Sequence, residues 1–233
     1  MHVGVERKEW VRGSCVALCR VEHNGRYLLL LNRNRRHKGL YTLSPVGGAL
    51  QIDDPTALEA LGARFEDPAA RELRFMLPKA QLDTFRVWFY RGEGRERSPW
   101  RELYEELVEE CHLLVTLQPA DVQITPLYSV ESEELTDRQG QTGLLTHYFL
   151  EVYDVKFLRA ATFATLRAAP PESGAVWLSE EQLRSGRPLR LRFDGAERLV
   201  QVRGRALLPP HKRASRHLWQ ARSENSLNSE GRV

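Results

Sequence analysis

Ser98 to Cys111 constrains the fold more than any other stretch of the chain. Ser98 offers an N-cap and Pro99 stands at the first helical position. Apolar residues then recur at Trp100, Leu103, Tyr104, Leu107, Val108 and Cys111. Those spacings lay one continuous stripe along a helix. Glu102, Glu105, Glu106, Glu109 and Glu110 occupy the other side. Such a helix must press its stripe onto a core and turn its acidic side away from it.

Like charges at i,i+4 repel by about 0.2–0.5 kcal/mol per pair, so something offsets them. Water and salt suffice for an ordinary solvated face. A hard divalent cation would also suffice, because Mg²⁺ takes carboxylate oxygens and keeps several waters. Glu102, Glu105 and Glu106 fall at i, i+3, i+4 and converge on one patch. The helix alone leaves both answers open.

The other elements are shorter. Ser14–Val21 and Arg26–Leu31 read as strands joined by the turn residues His23-Asn24-Gly25. Asn32–Lys38 reads as a basic loop. Tyr41–Leu43 is extended and enters Ser44-Pro45-Val46-Gly47-Gly48, where Pro and paired glycines call for a special backbone path. Pro55–Leu61 is a candidate short helix and Glu72–Met76 an extended piece. Leu82, Phe85 and Phe89 predict a helix over Pro78–Tyr90, broken by Gly92-Glu93-Gly94. Val122–Val130, Thr146–Val155, Ala175–Leu178 and Leu199–Val202 read as strands, and Glu180–Leu183 as a short helix.

Composition narrows the class. The chain has 233 residues, 42% hydrophobic and 28% charged, which is ordinary for a globular protein. Its longest apolar run, Tyr27–Leu31, is five residues. A membrane span needs ~18–20. The charged start MHVGVERKEW lacks the apolar core of a secretory signal. Three scattered cysteines, Cys15, Cys19 and Cys111, make neither a disulfide framework nor a four-ligand zinc site. The expectation is a cytoplasmic protein with reduced thiols. The net charge of +3 lies after residue 210, where five Lys/Arg face two Asp/Glu; residues 1–210 carry 29 of each sign. A neutral body makes nucleic acid an unlikely partner for it, although the basic tail would touch RNA non-specifically or serve only to solubilise.

Taken together, Gly47-Gly48 and then Glu93, seven residues, and Arg101-Glu102-Leu103-Tyr104-Glu105-Glu106 resemble the Nudix box. That pattern runs Gly, five residues, Glu, seven residues, Arg-Glu-apolar-any-Glu-Glu, any, Gly, apolar. Two departures stand out. Residues 49 to 92 put 44 positions between Gly48 and Glu93, and Val108 replaces the final Gly. Asp54 has the five-residue spacing from Gly48, but only Glu93 has the right spacing to Arg101. A narrower resemblance rests on Pro45-Val46-Gly47-Gly48, a long insert ending Leu82-x-x-Phe85-x-x-Trp88-Phe89, and Gly92-x-x-Arg95-Glu96-x-Ser98-Pro99-x-Arg101-Glu102. These resemble the SMODS-associated Nudix domain, which accompanies cyclic-oligonucleotide synthases in bacterial anti-phage (CBASS-type) systems. The likeness covers roughly residues 12–185. Some members of that branch carry membrane helices, and this sequence shows none.

The resemblance implies an α/β/α Nudix sandwich with a mixed β-sheet. Its domain would span residues 12–208 with an insert at about 50–90, after a lead-in (1–11) and before a polar basic tail (209–233). It implies hydrolysis of a nucleoside diphosphate linked to another moiety, with Mg²⁺ or Mn²⁺. Glu102, Glu105 and Glu106 would be metal ligands, joined by the Gly47 carbonyl. Glu93 and Arg101 would pair to hold the loop against the helix, and Glu105, Glu106, Arg101 and Glu93 form the catalytic set. One carboxylate would take the proton of the attacking water. The resemblance equally admits a Nudix-fold sensor that binds a nucleotide without cleaving it. A cyclic oligonucleotide with only monophosphate linkages would then be a ligand rather than a substrate.

Arg33, Arg35 and Arg36, with His37 and Lys38, would clamp substrate oxygens if the basic loop lies at the site rim, or form a solvated turn if it does not. Glu131, Glu133, Glu134 and Asp137 lie where some Nudix enzymes keep their base, and nothing local selects one. His147 and Glu151 share a strand face. Trp88, Trp100 and Trp177 sit in apolar patterns and read as core; Trp219 lies in the tail. The insert is the natural specificity or homodimerisation element.

Overall fold

The computed structural model describes residues 9–136 and 143–209. In chain order the elements are β1 (Trp10–Arg20), β2 (Glu22–His23), β3 (Arg26–Leu31), α1 (Arg33–Arg36), β4 (Thr42–Ala49), α2 (Thr56–Glu59), β5 (Arg64–Phe65), β6 (Arg74–Pro78) and α3 (Leu82–Arg91). Then follow α4 (Trp100–Tyr104), β7 (Val122–Leu135), β8 (Leu145–Phe157), α5 (Ala160–Ala168), β9 (Ala175–Ser179), α6 (Glu180–Ser185), β10 (Leu189–Phe193) and β11 (Ala196–Val202).

The long strand β1 organises a mixed sheet. Its first half pairs antiparallel with β6 and its second half antiparallel with β4. Its other edge pairs parallel with β8 along Arg12–Arg20. β7 closes that side against β8, and β3 runs from β4 to β9. The four consecutive leucines of β3 show why the sheet is covered on both faces. Leu28 and Leu30 enter the core with Leu103 and Leu107 of α4, whereas Leu29 and Leu31 enter the core with Leu183 of α6. Successive side chains on a strand point to opposite faces, so a run of apolar residues needs helices on both. The α3 and α5 helices share the α4 side, through Phe85 and Phe89 and through Leu166. This is the expected α/β class with a mixed sheet. Among the described residues no helix is long and apolar enough to cross a membrane.

Several expectations shift. The lead-in ends sooner, because β1 begins at Trp10 and pairs there with Pro78. The basic segment is a short helix rather than a loop, its start capped by Asn32 Oδ1 accepting the Arg35 N–H at 2.9 Å. Gly47 and Gly48 belong to β4 rather than to a loop; they face Leu18 and Ala17 across the ladder. The insert is not a separate lobe, since β5 and β6 extend the sheet itself. The α5 helix and β10 were not anticipated, and the expected strand Leu199–Val202 is the second half of β11, paired with β10 in a hairpin. The hairpin carried a signal, Asp194-Gly195 between alternating apolar residues, and both turn residues take positive φ (54° and 74°). Asp137, Trp219 and the tail from residue 210 lie outside the described residues. The three cysteines are free, with Cys15 and Cys19 buried.

Gly47 combines φ +136° with a position where a Cβ would come within 2.1 Å of the Ala17 carbonyl oxygen. Both features exclude a side chain. Gly47→Ala is expected to lower the melting temperature by at least about 3 °C. A scanning-calorimetry trace identical to wild type would contradict this account.

Candidate functional site

The acidic helix starts at Trp100, one residue later than expected: Pro99 is the cap residue and Ser98 Oγ accepts the Trp100 N–H at 3.2 Å. From Glu105 to Glu110 the helix continues as one widened π-turn, and the Cys111 N–H donates to Glu106 O, five residues back. Such turns are rare and often mark functional positions. The stripe is as read: Leu103 and Leu107 are buried, with Trp100, Tyr104, Val108 and Cys111 half-buried against the same core.

The acidic side is not simply solvated. Glu102 is 9% exposed and lies on Gly48, where a Cβ would stand 2.0 Å from Glu102 Oε2. Glu106 Oε2 accepts the Gly47 N–H at 2.8 Å. The two glycines thus form a bare strip of backbone on which two carboxylates rest. Burial, joined by Glu102, Glu110 and Glu105 and opposed by the Gly47 hydrogen bond, pushes the Glu106 carboxyl up to about 8. Burial also raises Glu102, opposed by Arg101. Glu105 is the most open of the three.

Arg101 joins these groups. It donates Nη2 to Ala49 O (2.7 Å) and Glu96 Oε2 (3.0 Å), and Nη1 to Glu105 Oε2 (3.0 Å), with Glu102 Oε1 at 2.8 Å. The expected partner Glu93 is displaced by Glu96. Glu93 lies exposed between Gly92 and Gly94, both at φ +69°. Glu96 is drawn inward because its N–H donates to Gln51 O and its carboxylate accepts the Gln51 N–H. The signal for it was the Arg95-Glu96 pair within the motif.

Arg95 explains the loop's path. It is 6% exposed and forms a two-pronged pair with Glu151 (2.7 and 3.1 Å) while donating to Phe89 O at the end of α3. Tyr153 Oη donates to Glu151 Oε2 at 2.8 Å, and the guanidinium stacks on the Phe89 ring. Sequence reasoning placed Glu151 on one strand face with His147 and missed its partner Arg95.

The basic helix does face the acidic one. A cavity of about 530 Å³ is lined by Arg33, Asn34, Arg36, His37, Glu110 and Asp194. A smaller recess beside it shares Arg33, Asn34 and Glu110 and reaches Glu106 and Cys111. Arg33 is thus placed across from the Glu106 carboxylate. Arg36 is held by Asp194 at the hairpin tip, which also accepts the Tyr41 hydroxyl (2.7 Å). Arg35 does not line either space. Of the expected base candidates, Glu131 binds Arg86 and Tyr90, and Glu133 pairs with His147 Nδ1 at 3.1 Å; neither enters the groove. Trp88, Trp100 and Trp177 pack on the core as read.

The donor set suits a hard divalent cation. Glu106 is a half-buried carboxyl near other carboxylates and holding one backbone donor, so a cation would relieve it. Yet among the described residues no three His, Cys, Asp or Glu side chains form a ready cage, because Arg101 draws Glu102 and Glu105 towards itself.

An acidic helix packed on a diglycine strand and facing an arginine-bearing groove is the arrangement of a Nudix-type domain. The family model described as SMODS-associated NUDIX domain matches residues 10–193, and the chain belongs to that family. No curated protein and no solved structure matches the chain.

Two outcomes follow from this geometry. Glu106 binds its proton more tightly folded than unfolded, so the unfolded chain holds fewer protons between the ordinary glutamate range and about pH 8. Chelator-treated protein should therefore lose stability as pH rises through that window, by up to ~1.4 kcal/mol per unit. Glu106→Gln should flatten the curve in urea titrations; an unchanged slope refutes the assignment. Separately, Glu151→Ala leaves the Arg95 charge buried and uncompensated, at a cost of about 3–5 kcal/mol. Denaturant midpoints test this, and a loss below about 1 kcal/mol would show that Phe89 O alone holds Arg95.

Proposed function

We propose that the chain hydrolyses a nucleoside diphosphate linked to another moiety, with Mg²⁺ or Mn²⁺, in a bacterial anti-phage system built around a cyclic-oligonucleotide synthase. The observation that supports it is the pair of carboxylates, buried Glu102 and half-buried Glu106, resting on the Gly47–Gly48 backbone beside a groove that carries Arg33. Glu102, Glu105 and Glu106, with the Gly47 carbonyl, would hold the cation. When bound, it would neutralise diphosphate charge and polarise the reacting phosphorus.

The remaining work falls to the chain's own groups. Arg33 binds diphosphate oxygens from the opposite wall, as guanidinium forks do well. Arg36 takes part through Asp194, as the brace that seats α1. Glu105 has the best access to water and accepts the proton of the attacking water. Arg101 positions Glu105 and, through Glu96, ties the helix to the insert. Glu93 has no role in this scheme.

A panel of ADP-ribose and dinucleoside polyphosphates, incubated with Mg²⁺ or Mn²⁺ and with EDTA, tests the proposal. Metal-dependent cleavage of at least one member is expected. The Glu105→Gln, Glu106→Gln double variant should stay folded and lose at least about a hundredfold in rate. Undiminished cleavage by that variant sinks the reading. A nucleotide sensor is the second reading, supported by the grip of Arg101 on Glu102 and Glu105. Tight binding of a panel member with no product over hours in Mn²⁺ would establish it instead.

A further inference from the structure

A second cavity, of about 610 Å³, lies on the other face of the sheet. Its floor includes Leu150 of β8 and Val130 of β7, which are paired across the ladder. The neighbours of Leu150, Phe149 and Glu151, point to the α3 and α4 side, with Phe149 packed on Phe85 and Glu151 on Arg95. Alternation along the strand therefore turns Leu150 away from the acidic helix. The cavity is separate from the groove described above.

Its walls carry Arg184 of α6 together with Arg203 and Arg205 beyond β11. Arg184 is shared with Glu180 at 2.5 Å. Arg203 and Arg205 form no side-chain ion pair among the described residues. Among the described residues Glu134 is the only acidic one on the lining, and with Arg184 already paired to Glu180 it faces the guanidiniums of Arg203 and Arg205. Bringing like charges to one rim is unfavourable without an anion to offset them. Val130, Leu150, Ala206 and Leu208 give the lining an aliphatic patch beside Ser132. The volume falls in the range of small-molecule sites. Arg203, Arg205 and Leu208 all lie after residue 193, where the family match ends, whereas Val130, Leu150 and Arg184 lie within it. The chain beyond residue 210 carries five Lys/Arg and two Asp/Glu, and its charge does not suit it as the occupant.

We propose that this cavity binds a small phosphate monoester with an aliphatic body, the arginines taking the phosphate and the Val130, Leu150 and Leu208 surface taking the chain. The site does not depend on the hydrolase reading, because it shares no residue with the groove.

Calorimetric titration of the full chain with n-hexyl phosphate, inorganic phosphate and AMP tests it. Hexyl phosphate should bind at least about tenfold more tightly than either of the others. The Arg203→Ala, Arg205→Ala double variant should weaken it by at least about tenfold at an unchanged melting temperature, since both residues are exposed. The Glu105→Gln, Glu106→Gln variant should bind it as wild type does. The proposal is overturned if wild type does not bind hexyl phosphate, if AMP or inorganic phosphate binds as tightly, if the arginine variant is unaffected, or if the glutamate variant loses binding.

Discussion

The contact between the acidic helix and two glycines of β4 sets the terms for the rest of the molecule. Glutamates near the middle of a core-facing helix are normally held in water. Here Glu102 and Glu106 are pressed onto strand backbone, and only bare glycines leave room for them. The arrangement is costly in the absence of a counter-charge, as the raised Glu106 shows. It is tolerated because Leu103 and Leu107, on the same helix, are fully buried against Leu28 and Leu30. Apolar burial of about 25 cal/mol per Å² offsets the electrostatic cost.

The insert belongs to this logic. It separates Gly48 from Glu93 by 44 residues in sequence (49 to 92), yet ion pairs within it and just after it hold it to the sheet. Arg12 of β1 takes Glu66 at 2.6 Å, and Arg95 takes Glu151 at 2.7 Å. The second pair stands next to Glu96, which receives Arg101. A buried ion pair is weak evidence of net stability; its use here is positional, fixing where the loop before the helix runs.

Much of this was legible in the sequence because periodicity is a strong signal. The stripe from Trp100 to Cys111, the leucine run of β3 and the helix bearing Phe85 and Phe89 are each dictated by which residues must leave water. The acidic cluster and the basic segment were visible for the same reason. Less legible were elements with weak patterns. The α5 helix, AATFATLRA, has little contrast between its sides. The β10 strand alternates Leu and Arg but lies at a sheet edge, half-exposed. Its Asp194-Gly195 turn was readable as a hairpin; its reach to Arg36 was not, because that contact spans 158 positions.

The α/β class was implied by the family resemblance; the sequence by itself determined that an acidic, core-facing helix exists and that a diglycine segment precedes it. These follow from local propensity and from the period of apolar residues, which act within a few turns of chain. Only the tertiary structure decided which groups meet. Residue spacing selected Glu93 as the partner of Arg101, but spacing counts positions along the chain and not the path of a loop. Once Arg95 is buried against Glu151 and Glu96 is paired with Gln51, the loop can offer Arg101 only Glu96 and leaves Glu93 in solvent.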